Sequence, residues 1–279
     1  MKVSPAHLPG KRLRAAPAPP RLPRIEGAEL RSPQRKRRYN AALFAQVAPR
    51  YQLVTRCLSF GRDRSWKRLL VRDVLERLRR RAAAPAPGPD DRAVALDLAC
   101  GTGDITLELA RALPTGSVVG VDLSPDMLWR ARRRAKRDAI ANATFVCGDM
   151  NDLPAADESA HVVTGGYALR NAPDLESTLR EVFRVLQPGG IAAFLEFSLP
   201  ASAFRRTLQL RLLRFWGQVW GLALHGNPEI YAYIARSLAH FPDCRGFERM
   251  LKRTGFTGHR SRGLLGGFVR ITMVSKPTR

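Results

Sequence analysis

Residues 93–104, AVALDLACGTGD, constrain this chain more than any other stretch. The first seven are almost continuously apolar, which suits a strand buried on both faces, as in a parallel sheet. Gly101 and Gly103 follow at once, and Asp104 opens a helical pattern to about residue 113. Glycines in such a turn let the backbone approach a ligand closely, and open α/β sheets bind ligands at this strand-to-helix junction.

The same alternation continues along the chain. Further apolar strands are predicted at 117–123, 143–149, 161–167, 191–198 and 268–275. Helices are predicted from Ser124-Pro125, where Ser caps and Pro takes the first helical position, at 174–187 before Pro188-Gly189-Gly190, and at 246–257. Alternating units of this kind imply a doubly wound parallel sheet. Residues 39–81 carry helical spacing, with Leu43, Phe44 and Val47 on one face and Trp66, Leu69, Leu70, Val74 and Leu78 on another; 82–91 (AAAPAPGPDD) reads as a linker. Residues 201–245 interrupt the alternation with a long apolar helix studded with arginines. The organisation is therefore a tail at 1–38, a helical cap and linker at 39–92, and an α/β domain at 93–279 with a helical insert at 201–245. No internal repeat is visible.

The tail holds seven prolines and eleven Lys or Arg against Glu26 and Glu29. It reads as disordered; an organelle transit peptide is the alternative, opposed by its two serines, Ser4 and Ser32. The whole chain has 47 Lys or Arg against 24 Asp or Glu, a formal charge of +23, but forty of these are Arg, so part of the skew reflects composition. A hydrophobic fraction of 45% excludes global disorder, and no apolar run is long enough to span a bilayer. Cys57, Cys100, Cys147 and Cys244 form no CxxC pair and the five histidines lack ligand spacing, which points to a reduced, metal-free, intracellular protein.

Three acids follow the strands at informative places. Asp97 ends the first strand, Asp122, next to Leu123, ends the second about twenty residues on, and Asp149 follows the third. A carboxylate at Asp122 can accept both hydroxyls of a ribose, and one at Asp149 the amino group of an adenine. A dinucleotide site would need a third glycine where Thr106 stands, and Asp104 would repel a pyrophosphate. S-adenosylmethionine has no phosphate and a positive sulfonium, so Asp97 and Asp104 favour it.

Several segments together resemble the ubiquinone/menaquinone biosynthesis C-methyltransferase family, within class I S-adenosylmethionine-dependent methyltransferases. They are Val47-Ala48-Pro49-Arg50-Tyr51, Leu58-Ser59-Phe60-Gly61, Trp66-Lys67, LDLACGTGD (96–104), Tyr167-Ala168-Leu169-Arg170-Asn171, VFRVLQPGG (182–190), LEFSLP (195–200), and Tyr231-Ala232-Tyr233 with Ser237-Leu238. The resemblance spans about residues 44–276. It implies a Rossmann-like, mostly parallel seven-stranded sheet with helices on both faces and the insert before the last strands. It implies S-adenosylmethionine as cofactor, held by Asp97, Gly101, Thr102, Gly103, Asp122, Leu123, Asp149, Met150 and Gly166. Many members carry serine at the Gly166 position and glycine at Cys100, and Gln52 and Thr55 replace a common Asp and Asn.

The resemblance also implies methylation of a polyprenyl quinol ring, of benzoquinol or naphthoquinol type, with Tyr51, Arg170 and Asn171 around the quinol oxygen. A guanidinium stays protonated, so Arg170 is expected to stabilise developing phenolate rather than act as a base. A structural ion pair at Arg170 and a turn contact at Asn171 are the competing expectation. The 201–230 segment is open to three readings: core packing, a lid around a prenyl tail, or a surface entering an anionic lipid interface with Trp216 and Trp220 as anchors. A cytoplasmic protein peripheral to the membrane is expected, and a homodimer is left open. A related small-molecule C- or O-methyltransferase is the nearest alternative. Nucleic-acid methylation is not expected: Gly165-Gly166-Tyr167-Ala168 stands where amino-methylating enzymes carry D/N-P-P-Y/F, and no Pro-Cys pair occurs.

Overall fold

The computed structural model describes residues 32–82 and 93–278. The bulk of the tail and the Pro/Gly linker lie outside those residues. Seven strands form one sheet in the order β3-β2-β1-β4-β5-β7-β6. β1 (Val94–Leu98), β2 (Ser117–Asp122), β3 (Ala143–Cys147), β4 (Ala160–Gly166) and β5 (Leu186–Phe197) run parallel. β7 (Val269–Ser275) is antiparallel to β5, and β6 (Thr257–Leu264) is antiparallel to β7. The order reverses between β1 and β4, which opens a crevice at their carboxyl ends.

Helices cover both faces, as the doubly wound expectation required. On one face α3 (Asp63–Ala82) lays Trp66, Leu70, Val74 and Leu78 against Ile105 and Leu109 of α4 (Asp104–Ala112) and the strands beneath. On the other, α6 (Leu175–Val185) and α9 (Cys244–Thr254) bring Leu179, Val182, Phe247 and Leu251 onto Leu96, Leu98 and Phe194. α5 (Pro125–Arg137) starts as predicted, Ser124 Oγ accepting the Met127 N–H at 3.4 Å.

Four features differ from the sequence reading. Residues 33–38 are not tail but the first turns of α1 (Pro33–Val47); Pro33 is pre-organised for the helix start, Lys36 donates to the Ala172 carbonyl at 2.6 Å, and Arg37 pairs with Asp149 at 3.0 Å. The helix expected to reach residue 187 ends at Val185, because Leu186 already pairs with Ala160; Pro188-Gly189-Gly190 is an irregularity inside β5, with Gly189 at φ 74°. α9 starts two residues early, where Asp243 accepts the Gly246 N–H at 2.7 Å, and stops at Gly255. β6 carried no apolar alternation to read, since it is an edge strand with mostly exposed side chains, among them Arg260 and Arg262.

α2 (Tyr51–Leu58), α7 (Ala203–His225) and α8 (Glu229–Ala239) complete the cap with α1. α7 and α8 approach closely because Gly217 and Gly221 face α8 and its entry loop; a Cβ there would lie 2.6 Å from the Tyr231 carbonyl oxygen or 2.5 Å from that of Asn227. With its glycines turned inward, α7 turns much of its apolar surface outward: Phe204 is 78% exposed, Phe215 65% and Leu222 61%. Core packing is therefore not what those side chains do. Among the described residues no helix is long and apolar enough to cross a membrane.

Candidate active site

The turn after β1 is built by left-handed backbone. Ala99, Gly101 and Gly103 have φ of 45°, 55° and 81°, and across the crevice Tyr167, after β4, has 56°. Left-handed conformations in Ala99 and Tyr167 are strained, and such strain gathers at functional sites. Between these turns lies a cleft lined by Gly101, Asp122, Leu123, Met127, Met150, Gly166 and Asn171, roofed by Phe44 and Tyr51. Asp122 Oδ2 accepts the Gly101 N–H and Oδ1 the Ser124 N–H, both at 2.8 Å. Burial pushes the Asp122 carboxyl up, and those two N–H groups partly offset it. Each oxygen keeps a second lone pair. A Cβ at Gly166 would stand 2.6 Å from the Ile105 Cδ1 methyl, the mobile end of that side chain, so a small side chain there requires only that Ile105 shift.

Five acids and turn residues expected around the cofactor do not line the cleft. Asp97 is buried below the turn, its oxygens taken by Thr106 at 2.7 Å and Thr164 at 2.9 Å. Thr102 is buried with its hydroxyl accepting from Arg134 at 3.2 Å. Gly103 caps α4 under Phe145 and Ala131. Asp104 is not directed at a sulfonium; it is held by Lys67 at 2.9 Å and by Arg134. Asp149 gives Oδ2 to Arg37 and Oδ1 to the Asn151 N–H at 3.0 Å, leaving Gly148 and Met150 as the wall at that level. Sequence spacing located the strand ends correctly but could not show which way each side chain turned.

A second, apolar cavity of about 610 Å³ adjoins the cleft. It lies between α1 and α2 on one side and α7 and α8 on the other, with Leu43, Val47, Phe197, Trp216, Ile230 and Tyr233 in its walls. Phe44, Tyr51 and Tyr167 line both spaces. Burial pushes the Tyr51 phenol up to about 12 and raises that of Tyr167 too, so both are neutral donors at ordinary pH. Tyr233 donates to Asn40 Oδ1 at 2.6 Å, and Asn40 donates to the Asn171 carbonyl at 2.8 Å, tying α8, α1 and the turn after β4 together.

Arg170 lines the apolar cavity and Asn171 the cleft. Both also make the structural contacts that competed with a chemical role. Arg170 Nε lies 3.5 Å from Glu196 Oε1, and Nη1 donates to Asn171 Oδ1 at 3.2 Å and Ser237 Oγ at 3.1 Å. Asn171 Nδ2 donates to the Tyr167 carbonyl at 3.1 Å.

Sequence reasoning assigned no role to a buried ionic row beside Tyr51. Lys67 Nζ donates to Asp63 at 2.7 Å and to Asp104 at 2.9 Å. Burial works against the Lys67 charge, but the two carboxylates outweigh it and its pKa rises. Burial likewise opposes Asp104, yet Lys67 and Arg134 hold it down to about 2. Asp63 received no role from the sequence; the passage of α3 across the start of α4 brings it and Lys67 to Asp104. Among the described residues no His, Cys, Asp and Glu group could hold a metal ion.

Comparison with known proteins follows the same lines. The model of the "ubiE/COQ5 methyltransferase family" matches residues 33–276. A demethylmenaquinone methyltransferase of Deinococcus radiodurans is 38% identical over 219 residues, covering 77% of this chain and 83% of that protein. The enzyme of the same description from Staphylococcus aureus strain JH9 is 31% identical over 226 residues, covering 81% and 88%. Among solved structures, a SAM-dependent methyltransferase from Aquifex aeolicus superposes with a TM-score of 0.50 at 13% identity, covering 74% of this chain and 88% of that one. A Haemonchus contortus phosphoethanolamine N-methyltransferase in complex with S-adenosyl-L-methionine gives 0.52 at 16% identity, covering 74% and 53%. These two likenesses concern the fold.

Proposed function

The chain belongs to the ubiE/COQ5 methyltransferase family, and from that premise we propose that it methylates a ring carbon of a polyprenyl quinol, of the demethylmenaquinol kind, with S-adenosylmethionine as methyl donor. One observation carries the substrate class. A narrow cleft at the β1–β4 crevice, with the Asp122 carboxylate placed to accept a ribose, opens past Tyr51 and Tyr167 into an apolar cavity of about 610 Å³ that suits a greasy ring and the start of its tail.

The donor set of the cleft fits the cofactor. Asp122 offers a lone pair on each oxygen to a ribose, Leu123, Met127 and Met150 offer apolar walls to an adenine, and Gly101 offers close backbone. S-adenosylmethionine supplies the electrophilic methyl when bound. The protein's own work is to place the quinol carbon in line with it. Tyr51 and Tyr167, neutral and at the junction of the two spaces, donate to a ring oxygen there. Arg170, fixed by Glu196, Asn171 and Ser237, contributes a preorganised positive charge toward that oxygen as phenolate character grows.

The outer face of α7 fits a peripheral lipid contact. Leu212, Phe215, Trp216 and, opposite them, Phe60 form the mouth of the apolar cavity, and Phe215 and Phe60 are exposed. Exposed Arg205, Arg211 and Arg214 flank the stripe at the level where anionic headgroups would sit. The same face thus joins a bilayer that dissolves the quinol to the cavity that receives it. Mass spectrometry of the quinone pool tests the reading: cells lacking the chain should accumulate a quinone one methyl group lighter, and an unchanged pool would overturn it.

A further inference from the structure

The methylation leaves one question to the protein's side chains: what takes the hydroxyl proton of the quinol. Glu196 is unsuited, because its oxygens accept the Arg170 and Phe197 N–H groups at 3.2 and 3.0 Å and face the Arg170 side chain. Asp104 is held ionised by Lys67 and Arg134 and does not line the apolar cavity.

Asp63 differs from both. It is the first residue of α3, fixed by its N–H to Ser59 Oγ at 2.9 Å and by Oδ2 to Lys67 at 2.7 Å. Its other oxygen, Oδ1, is buried and has no hydrogen-bond partner. A buried carboxylate oxygen left unpaired is costly and calls for an explanation. The carboxylate lines the apolar cavity, and it also lines a polar cleft on the outer side with Gln52, Arg56, Lys67 and Asp104. Among the described residues lining the apolar cavity, Asp63 and Arg170 carry the charges, one of each sign.

We propose that Asp63 Oδ1 is the acceptor of the quinol hydroxyl proton and so a catalytic residue of the methylation, an inference that rests on the quinol reading above. The hydroxyl ortho to the reacting carbon loses its O–H bond, and that proton bonds to Asp63 Oδ1. The electron pair stays on the ring oxygen, facing Arg170, and makes the ortho carbon more nucleophilic. Once the carbon–methyl bond has formed, the ring C–H proton leaves to water and restores aromaticity. Asp63 then returns its proton to the ring oxygen, so one proton per turnover is released. Through the outer cleft Asp63 can exchange its proton with solvent without using the apolar mouth.

The groups around Asp63 suit this cycle. Lys67 on its own helix and Asp104 on α4 form the ionic row, while Tyr51 of α2 and Tyr167 after β4 face it from the cavity side. Tyr167 stands close enough to hold the Asp63 pKa down together with Lys67, while Oδ1 itself has no hydrogen-bond partner. Burial raises Asp63 above the usual aspartate range, Lys67 limiting the rise. A base poised higher than an ordinary carboxylate is a stronger proton acceptor.

The test uses the full chain, saturating S-adenosylmethionine and a short-tailed demethylnaphthoquinol. Asp63→Asn should lower kcat by at least about 100-fold, keep cofactor affinity within about threefold, and abolish the acid limb of the kcat–pH profile. In Asp63→Ala, added formate should restore turnover, a response that a structural role would not give. Turnover by Asp63→Asn within about threefold of the unaltered chain, with its acid limb intact, would overturn the assignment. So would a cofactor-binding Asp63→Ala that formate does not rescue. If both variants lose cofactor binding, the unaltered chain decides, and a kcat profile flat from neutral pH down into the ordinary aspartate range would refute the role. An unaltered chain that methylates no quinol removes the function itself, whereas an active chain indifferent to Asp63 removes only this residue.

Discussion

Asp122 Oδ2 accepts the Gly101 N–H at 2.8 Å, joining the end of β2 to the left-handed turn after β1 across the floor of the cofactor cleft. One carboxylate thus shapes the turn and keeps a lone pair on each oxygen for the ribose contact proposed above. Charge-assisted hydrogen bonds of this kind contribute about 1.5–3 kcal/mol each. Asp122→Ala is expected to weaken S-adenosylmethionine binding by more than about 100-fold, measured by calorimetry. Affinity within about twofold of the unaltered chain would remove Asp122 from the site.

Arg170 and Glu196 must be tested as a pair. Both are buried, and deleting the arginine alone leaves an uncompensated charge, a loss of about 3–5 kcal/mol. Arg170→Leu should therefore be clearly less stable in denaturant as well as slow. Arg170→Leu with Glu196→Gln should regain much of the stability, yet turnover should stay about 100- to 1000-fold down. A double variant that is stable and active would make Arg170 purely structural.

The sequence made the architecture legible wherever an element has a buried apolar face. Five parallel strands and the helices between them have one, as does β7, and each was readable to within a few residues. β6 was not, because an edge strand buries little. The site divided the same way. Tyr51, Asp122, Met150, Gly166, Arg170 and Asn171 reach the two cavities: Asp122 and Gly166 from strand ends, Met150 from the loop after β3, Arg170 and Asn171 from the turn after β4, and Tyr51 from the start of α2. Asp97, Asp104 and Asp149 were misplaced because their partners come from afar: Thr164, Lys67 and Arg37 are brought in by the sheet and by the cap helices. Asp63 and Lys67 are an i,i+4 pair on α3, but their link to Asp104 joins α3 to α4 and is invisible in sequence for that reason.

Asp97 gives a pH signature of the fold. Burial pushes its carboxyl up to about 6 from 3.8, against the pull of Thr106 and Thr164. The folded chain then binds this proton more tightly than the unfolded chain. Its contribution to stability is fully present below 3.8 and is lost as pH rises through about 6. Asp97→Asn removes that dependence, so the difference in Tm between variant and parent should change between pH 4 and 7, over a range worth about 3 kcal/mol. Parallel Tm profiles would show that Asp97 does not titrate there.

The outer face of α7 can be altered without touching the cavity. Phe204 and Leu222 are exposed and line neither space. Replacing both with Glu should leave turnover of a short-tailed soluble quinol unchanged, while sedimentation with anionic vesicles and turnover of a long-tailed quinol in those vesicles both fall. Equal binding by parent and double variant would contradict a lipid contact there. Concentration-dependent mass in the parent, lost in the variant, would make the face a contact between copies.

The central claim is that the two joined spaces carry a methyl group to a ring carbon. The purified chain, given S-adenosylmethionine labelled with ¹³C in its methyl group and a demethylmenaquinol, should yield a menaquinol whose labelled methyl resonance is that of an aromatic C–CH₃. Label appearing on a ring oxygen, or no labelled product from a chain that binds the cofactor, would contradict the account.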